Sequence, residues 1–532
     1  MVRALAVLVV LAAVVGLPFA LKPEQNLLAA ADDTLIVITP HNEAIRYEFS
    51  RAFADHYQEK TGRTVRIDWR IPGGTSEIAR YLKGEFFAAF QTYWRRQGKE
   101  WTPEVQGAFD SPKVELPTSP AMDSPAQAAR RTFLGSEVGI GLDVFFGGGA
   151  FDFIGQAEAG RLVNSGVIER HPDWFAGDSI PQSVSGEEFY DKQGRWIGAV
   201  VSSFGICYNT DSLRALGIEE IPASWEGLGD PRFMKQVALA DPTKSGSAAK
   251  AFEMIIQQQM QQRMEASKET APALAISEGW VDGLRVIQRA SANARYFTDA
   301  APRVTVDVAQ GDAAIGMCID FYGRYQSEAV KVGDAPSRLQ YFTPAGGSSV
   351  GVDPIGLLRG APNAEVAKHF IDFVLSIEGQ KLWNFEIGAP GGPRRYALRR
   401  LPIRKELYDP QYSEYRSDPE VFPYEEAKLF TYHPGWTGPL FKTMSFIIRV
   451  MSLDPHDEQV SAWKALVAAG FPPRASERFA DLSAVSYEVA QESIRPALSS
   501  ADRIKEVQLA KTLGDHFRKQ YREAEELANQ GK

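Results

Sequence analysis

Between Thr34 and Leu82 the chain alternates twice between a short apolar strand and a helix. Leu35-Ile36-Val37-Ile38 reads as a buried strand that stops at Thr39-Pro40-His41-Asn42. Ile45, Phe49, Ala52, Phe53 and Tyr57 then recur at helical spacing, and Gly62 ends that helix. Val65, Ile67 and Trp69 alternate as a second strand. Pro72-Gly73-Gly74-Thr75-Ser76 leads into a second helix carrying Ile78 and Leu82. This order prescribes an α/β fold that begins on a parallel sheet.

The pattern is interrupted from Phe86 to Ser136, a polar, proline-containing stretch read as an insertion with one helix and a loose loop. It resumes at Leu142-Asp143-Val144-Phe145-Phe146, followed by three glycines and a helix toward Gly160. Further strand runs are 196–201, 204–209, 237–240, 313–318 and 355–358. Lys244-Ser245-Gly246-Ser247 opens a long helix, and Phe370, Phe373, Val374 and Ile377 share one face of another. Beyond Gly391 strand signals fade, and the remainder reads as mostly helical and charged.

The amino terminus has its own logic. Arg3 precedes an apolar run from Ala4 to Leu21, and a small-residue stretch follows at Leu28-Ala29-Ala30-Ala31. Residues 1–31 therefore read as an export signal, or as an anchor retained in the membrane, since the run is nearly long enough to span a bilayer. No later run is comparable, so the rest is expected in the periplasm or at the cell exterior. Cys207 and Cys318 are the only cysteines; they read either as a pair or as two buried thiols.

Composition narrows function by exclusion. At 532 residues the chain holds roughly three to four domain equivalents. Lys plus Arg number 58 against 67 Asp plus Glu, a net charge of −9, so no nucleic-acid partner is expected. There is no HExxH and no Walker A loop. Ser247-Ala248-Ala249-Lys250 matches SxxK only formally, and Lys250 is read as lying on a solvated helix face. The chain is not expected to be an enzyme.

Ligand-binding candidates cluster where strands end. Gly73, Gly74, Thr75 and Ser76 precede one helix; Lys244, Ser245, Gly246 and Ser247 precede another. Unpaired N–H groups at a helix start attract an anion, glycine permits close approach, and hydroxyls add donors. Simple capping by Ser76 or Ser245 is the competing reading. Gly148 and Gly149 follow a strand, and Ser203 sits between two strand runs. His41 and Glu43 follow the first strand, where ligands of open parallel sheets lie.

The ordered set His41-Asn42-Glu43-Ala44, Asp143 to Gly148, Phe204 to Thr210, Asp241 to Ser247, and Gly311 to Tyr322 resembles the solute-binding proteins of ABC transporters. The similarity is to the class II branch that contains ferric-iron, hexose-phosphate and phosphonate binders, and it spans roughly residues 34–390. It implies a two-lobed α/β fold with hinge strands and ligand between the lobes. Lobe one is expected at 32–166, with the insertion at 86–136, and again at 340–390. Lobe two is expected at 167–339, and a helical extension at 391–532. It implies a monomer that captures a small anionic solute and hands it to a membrane permease, with no cofactor. Asp320, Tyr322 and Arg324 fall where ferric-binding relatives carry a tyrosine pair; Phe321 leaves one tyrosine. Two ligand readings stand: an organophosphate or phosphonate gripped by the helix starts and Arg324, or Fe(III) held by His41, Glu43, Asp320 and Tyr322 with a companion anion. Other classes are a membrane-anchored sensor or docking subunit, and an exported hydrolase.

Overall fold

The computed structural model describes residues 31–267, 271–333, 335–500 and 503–532. The expected signal or anchor lies outside the described residues, Ala31 apart. The chain opens with β1 (Asp33–Ile38), α1 (Glu43–Thr61), β2 (Val65–Arg70) and α2 (Thr75–Arg96). Asn42 caps α1 by accepting from the Ile45 N–H at 3.1 Å, and Gly62 closes it in the left-handed region. There follow α3 (Pro103–Ala108), α4 (Pro125–Leu134), β3 (Val144–Phe146), α5 (Ala150–Ala159) and β4 (Leu162–Val163). Next come the hairpin strands β5 (Ser183–Val184) and β6 (Glu187–Glu188), then β7 (Ile197–Ser202), β8 (Phe204–Asn209) and β9 (Val237–Ala240). The chain continues through α6 (Gly246–Ala266), α7 (Pro272–Ala292), β10 (Ala294–Thr298), β11 (Ile315–Ile319), α8 (Asp320–Ala329), β12 (Leu339–Phe342) and β13 (Gly351–Leu358). The last elements used below are α9 (Ala364–Leu375), α10 (Ile377–Asn384), β14 (Leu401–Pro402), α11 (Phe441–Ile448), α12 (His456–Ala468) and α13 (Arg503–Asn529).

Two sheets define two lobes. The first runs β14-β7-β13-β3-β1-β2, with β4 also on β13; the second runs β10-β9-β11-β8-β12. β1 pairs in parallel with β2 and β3, whereas β13 is antiparallel to β3 and β7. Strands covered on both faces have to be apolar throughout, which is why β3 and β7 are buried along their whole length. Leu35, Val37, Phe49, Phe53, Phe146, Phe370 and Trp383 belong to the first core; Ile206, Leu239, Phe252, Trp280 and Met317 belong to the second. Cys207 and Cys318 are free and buried in a small cluster on the second sheet, so the thiol reading holds.

The expected α/β architecture with two lobes and hinge strands is present, but its boundaries move. β7 pairs with β13 in the first sheet, so residues 167–201 pack with lobe one, and the first crossing lies at Ser202-Ser203 rather than at 166. The second crossing follows β12. Lobe one does not close at 390: Leu398, Leu401, Ile403 and Ala427 still belong to its core, and β14 extends its sheet. A third crossing lies between Ala427 and Phe430.

Two segments read as appendages are core instead. In 86–136, α2 continues to Arg96 and α3 and α4 are helices. Phe90 stacks on Phe109 at 5.0 Å and meets Phe133 edge-on at 5.3 Å. Arg130 donates to the Ala159 and Glu158 carbonyls, fixing α4 to the end of α5. In the tail, Trp463, Phe479, Phe517 and Tyr521 join the second core, and Trp463 Nε1 donates to Asn293 Oδ1 at 2.8 Å. Each such aromatic contributes about 2 kcal/mol by burial, so lobe two is completed by the tail.

Candidate functional site

The loops that follow β1, β2, β3 and β9 meet where the lobes face each other. Gly147 has φ +89°, and a β-carbon there would lie 2.4 Å from His41 Nε2. Gly148 has φ +113°, and its β-carbon would lie 2.4 Å from Thr75 Cγ2. Only glycine supplies both that conformation and that clearance. A β-carbon on Gly74 would stand 3.9 Å from the Lys244 carbonyl oxygen, so the start of α2 in lobe one faces the start of α6 in lobe two. A β-carbon on Gly246 would lie 3.9 Å from Asp152 Oδ2 of α5. Phe151, beside Asp152, contacts Phe441 of the tail with ring centroids 4.6 Å apart.

The helix starts differ in how they are capped. Gly74 and Gly149 provide no side-chain cap to α2 and α5. Ser245 caps α6 by accepting from the Ala248 N–H at 3.2 Å. Thr75 and Ser76 lie in the first turn of α2 and Ser247 in that of α6, all half-buried. Two carboxylates stand at these starts. Glu77 folds back over Gly73 and Gly74, and Asp152 reaches the start of α6. Burial pushes the Asp152 carboxyl up to about 6, with Lys442 opposing and Glu77 reinforcing the shift.

Not every candidate reaches this convergence. Lys244 Nζ pairs with Asp299 at 2.5 Å within its own lobe, which raises its ammonium above the ordinary range. Glu43 is exposed in the first turn of α1. Arg324 forms an ion pair with Asp320 one turn earlier on α8, and Asp320 also accepts from the Phe321 N–H at 2.7 Å. Arg324 thus has a partner within lobe two, and its Nε also lies 4.0 Å from Asp418 Oδ2 in the lobe-one extension, so a ligand anion would compete with two carboxylates for it. Arg324 and Ser203 instead line a separate cavity of about 400 Å³ between the hinge and tail residues Arg399, Asp418 and Glu426.

The cleft floor holds a residue that sequence reasoning missed. Arg400 is fully enclosed, donates to Ser202 Oγ at 2.9 Å, pairs with Asp353, and lies over the Phe321 ring at 4.1 Å. Its Nη1 lies 3.4 Å from His41 Nε2. Burial first, then the Arg400 and Arg46 charges, hold the His41 imidazole well below its usual range. Burial pushes the Tyr322 phenol up to about 12. Among the described residues, no three of His, Cys, Asp and Glu are grouped to hold a metal. The available signal for Arg400 was five arginines interleaved with apolar residues in 394–404.

Lys250 is also corrected. It lies between Glu187 at 3.0 Å and Glu253 at 2.9 Å, with its ammonium 3.6 Å from the Tyr432 ring centroid. A helix face that looks solvated in isolation is here covered by the lobe-one hairpin and the tail.

Several known proteins are similar to this chain. The family model for bacterial extracellular solute-binding proteins matches residues 142–415. An uncharacterized protein of Haemophilus influenzae is 30% identical over 243 residues, 45% of this chain and 60% of its own length. The phosphoglycerate transport regulatory protein PgtC of Salmonella typhimurium is 23% identical over 186 residues, 35% of this chain and 40% of its own. The chain thus spans less than two thirds of the length of these curated relatives. Among solved structures, the periplasmic binding protein AfuA from Actinobacillus pleuropneumoniae aligns with a TM-score of 0.43 and 19% identity, over 66% of this chain and 82% of that one. Iron-bound HitA from Pseudomonas aeruginosa aligns with a TM-score of 0.45 and 16% identity, over 78% of this chain and 99% of that one. With its family model matched over more than half its length, across both lobes and the hinge between them, the chain belongs to the bacterial extracellular solute-binding proteins.

Proposed function

We propose that this protein is the extracytoplasmic solute-binding component of an ABC importer, and that it captures a small organic anion of the phosphate-ester or phosphonate type between its lobes. The observation that carries this reading is the approach of Gly74 to the Lys244 carbonyl, which sets the starts of α2 and α6 against each other across the cleft. The first N–H groups of α2 have no side-chain cap, and an anion satisfies such groups in a field that favours negative charge. The phosphoglycerate transport in the name of the Salmonella relative is in keeping with such a ligand. Gly73 to Ser76, Gly148, Gly149 and Ser245 to Ser247 are the contacts proposed; Lys244 is left out, because its ammonium pairs with Asp299. Lobe closure on the ligand is the state a permease would recognise.

A thermal-shift panel of sugar phosphates, phosphonates and ferric citrate tests this. A true ligand at about 100 times its Kd stabilises by about 2.7 kcal/mol, worth a few degrees. A shift with organophosphates and none with ferric citrate is the expected result. A shift with ferric citrate alone would overturn it.

A further inference from the structure

Charged side chains of alternating sign bridge the two lobes beside the hinge. Asp320, Arg324 and Glu328 stand at i, i+4 and i+8 on α8 of lobe two, along one face of that helix. Arg399 and Asp418 face them from the lobe-one extension. Arg324 pairs with Asp320 inside lobe two. Arg399 Nη2 lies 2.5 Å from Asp418 Oδ1 inside lobe one, and Asn384 Nδ2 donates to Asp418 Oδ2 at 3.0 Å. Two contacts cross between the lobes. Arg399 Nη1 donates to Glu328 Oε2 at 3.0 Å, and Arg324 Nε lies 4.0 Å from Asp418 Oδ2. The Arg324 side chain is 10% exposed and that of Asp418 1%, so either would be costly to strand without a partner. Parting the lobes strands neither: Arg324 keeps Asp320, Asp418 keeps Arg399, and the half-exposed Glu328 returns to water. Arg399 itself is held in the left-handed region at φ +51°. A non-glycine residue stays there only where its surroundings over-determine it. Here Leu398 and Leu401 are fixed in the first core, and the Arg400 N–H is anchored on the Trp383 carbonyl at 2.8 Å. The turn sets two successive guanidiniums against α8, Arg400 over Phe321 at its start and Arg399 on Glu328 near its end.

We propose that this network is a reversible lock between the lobes: the Arg399–Glu328 and Arg324–Asp418 contacts hold α8 against the lobe-one extension, part when the cleft opens and re-form when it closes. A permanent interface built on buried charges needs its cross partners to stay neutral, whereas each side of this one is neutral by itself. The neighbouring cavity of about 400 Å³, lined by Arg324, Arg399, Asp418 and Glu426, leaves space beside these side chains for them to separate. The lock acts on the lobes alone and is independent of which solute the cleft takes.

The test reads the distance between the lobes in the full protein by double electron–electron resonance. Spin labels are placed through Lys83→Cys on α2 of lobe one and Gln310→Cys before β11 of lobe two, both exposed positions, while Cys207 and Cys318 are buried. Glu328→Gln should raise the ratio of long-distance to short-distance populations about two- to fivefold, the range an exposed ion pair supports. Glu328→Lys, which sets a cation against Arg399, should raise it further. Salt at 1 M should move the parent toward the Glu328→Gln distribution and leave that variant almost unchanged. Asp320→Asn should act with the opposite sign, shortening the distribution, because Arg324 then depends on Asp418 across the gap. Unchanged distances in Glu328→Lys overturn the lock, even if Asp320→Asn does not fold. A lowered Tm in either Glu328 variant with no change in distance would mean a purely structural pair and also overturn it, as would a lengthened distribution in a folded Asp320→Asn.

Discussion

Lys250 Nζ lies 3.0 Å from Glu187 Oε1, an ion pair that joins α6 of lobe two to the β5–β6 hairpin of lobe one. Glu187 also accepts from Ser349 Oγ at 2.6 Å in the hinge, and the Tyr432 N–H donates to the Ser185 carbonyl at 2.8 Å. Burial works against the Lys250 charge, yet Glu187 and Glu253 together hold it above its ordinary range. The hairpin therefore clasps the second lobe through a closed set of polar contacts. Removing one partner from such a buried set leaves a charge uncompensated, at about 3–5 kcal/mol. Lys250→Met strands two carboxylates and should lower Tm more than Glu187→Gln, which strands none. Equal losses in thermal unfolding would show that the ammonium is not the centre of the contact.

Gly147 and Gly148 give a second expectation. Each combines positive φ with a β-carbon position 2.4 Å from a side chain of the opposing loop. Gly147→Ala should displace the His41 ring and weaken ligand binding beyond the cost to stability, because His41 sits on the cleft floor. Gly62→Ala, also at positive φ but with open space around it, should cost stability and leave binding unchanged. Binding constants for the two variants separate the effects.

Asp152 supplies a pH dependence with a definite sign. Its folded pKa, about 6, lies above the ordinary 3.8, so the folded state holds this proton more tightly than the unfolded chain. Stability from this group is fully present below about pH 4 and is lost as pH rises through 6. Asp152→Asn should therefore stabilise the fold at pH 7.5, by about 1–3 kcal/mol, seen as a higher Tm, and match the parent near pH 4. Glu77 and Lys442 face the same carboxyl and set the size of the effect. An anion seated beside Asp152 would also bind more tightly as pH falls toward 6, and Asp152→Asn should flatten that dependence.

The tail is expected to be indispensable to lobe two. A chain ending at residue 429 loses Trp463, Phe517 and Tyr521 from the second core and strands Asn293 Oδ1 and Gln288. It should be insoluble or lose cooperative unfolding. Trp463→Ala in the full chain should cost about 3–5 kcal/mol, as for other buried tryptophans. A soluble truncated chain with native circular dichroism would show instead that the second lobe folds without it.

What the sequence determined by itself was whatever local periodicity and turn chemistry enforce. The strand runs at 35–38 and 144–146, the helices after Asn42 and after Ser76, and the helix opened at Lys244 to Ser247 follow from residue spacing that any window displays. Their order carried the resemblance, and the resemblance implied the two-lobed fold. What only the tertiary structure decided was which distant segments share a core and which charges neutralise each other. β7 looks the same in either sheet until β13 pairs with it, so the lobe boundary could not be placed from its run of apolar residues. Arg324 and Asp320 looked available to a ligand, but their mutual pairing on α8 competes with any outside partner. Lys250 looked solvated and Arg400 drew no reading, because a long cationic side chain reads the same whether its partner is water or a carboxylate brought in from far along the chain. Electrostatic pairing depends on distance in space, which local spacing does not encode.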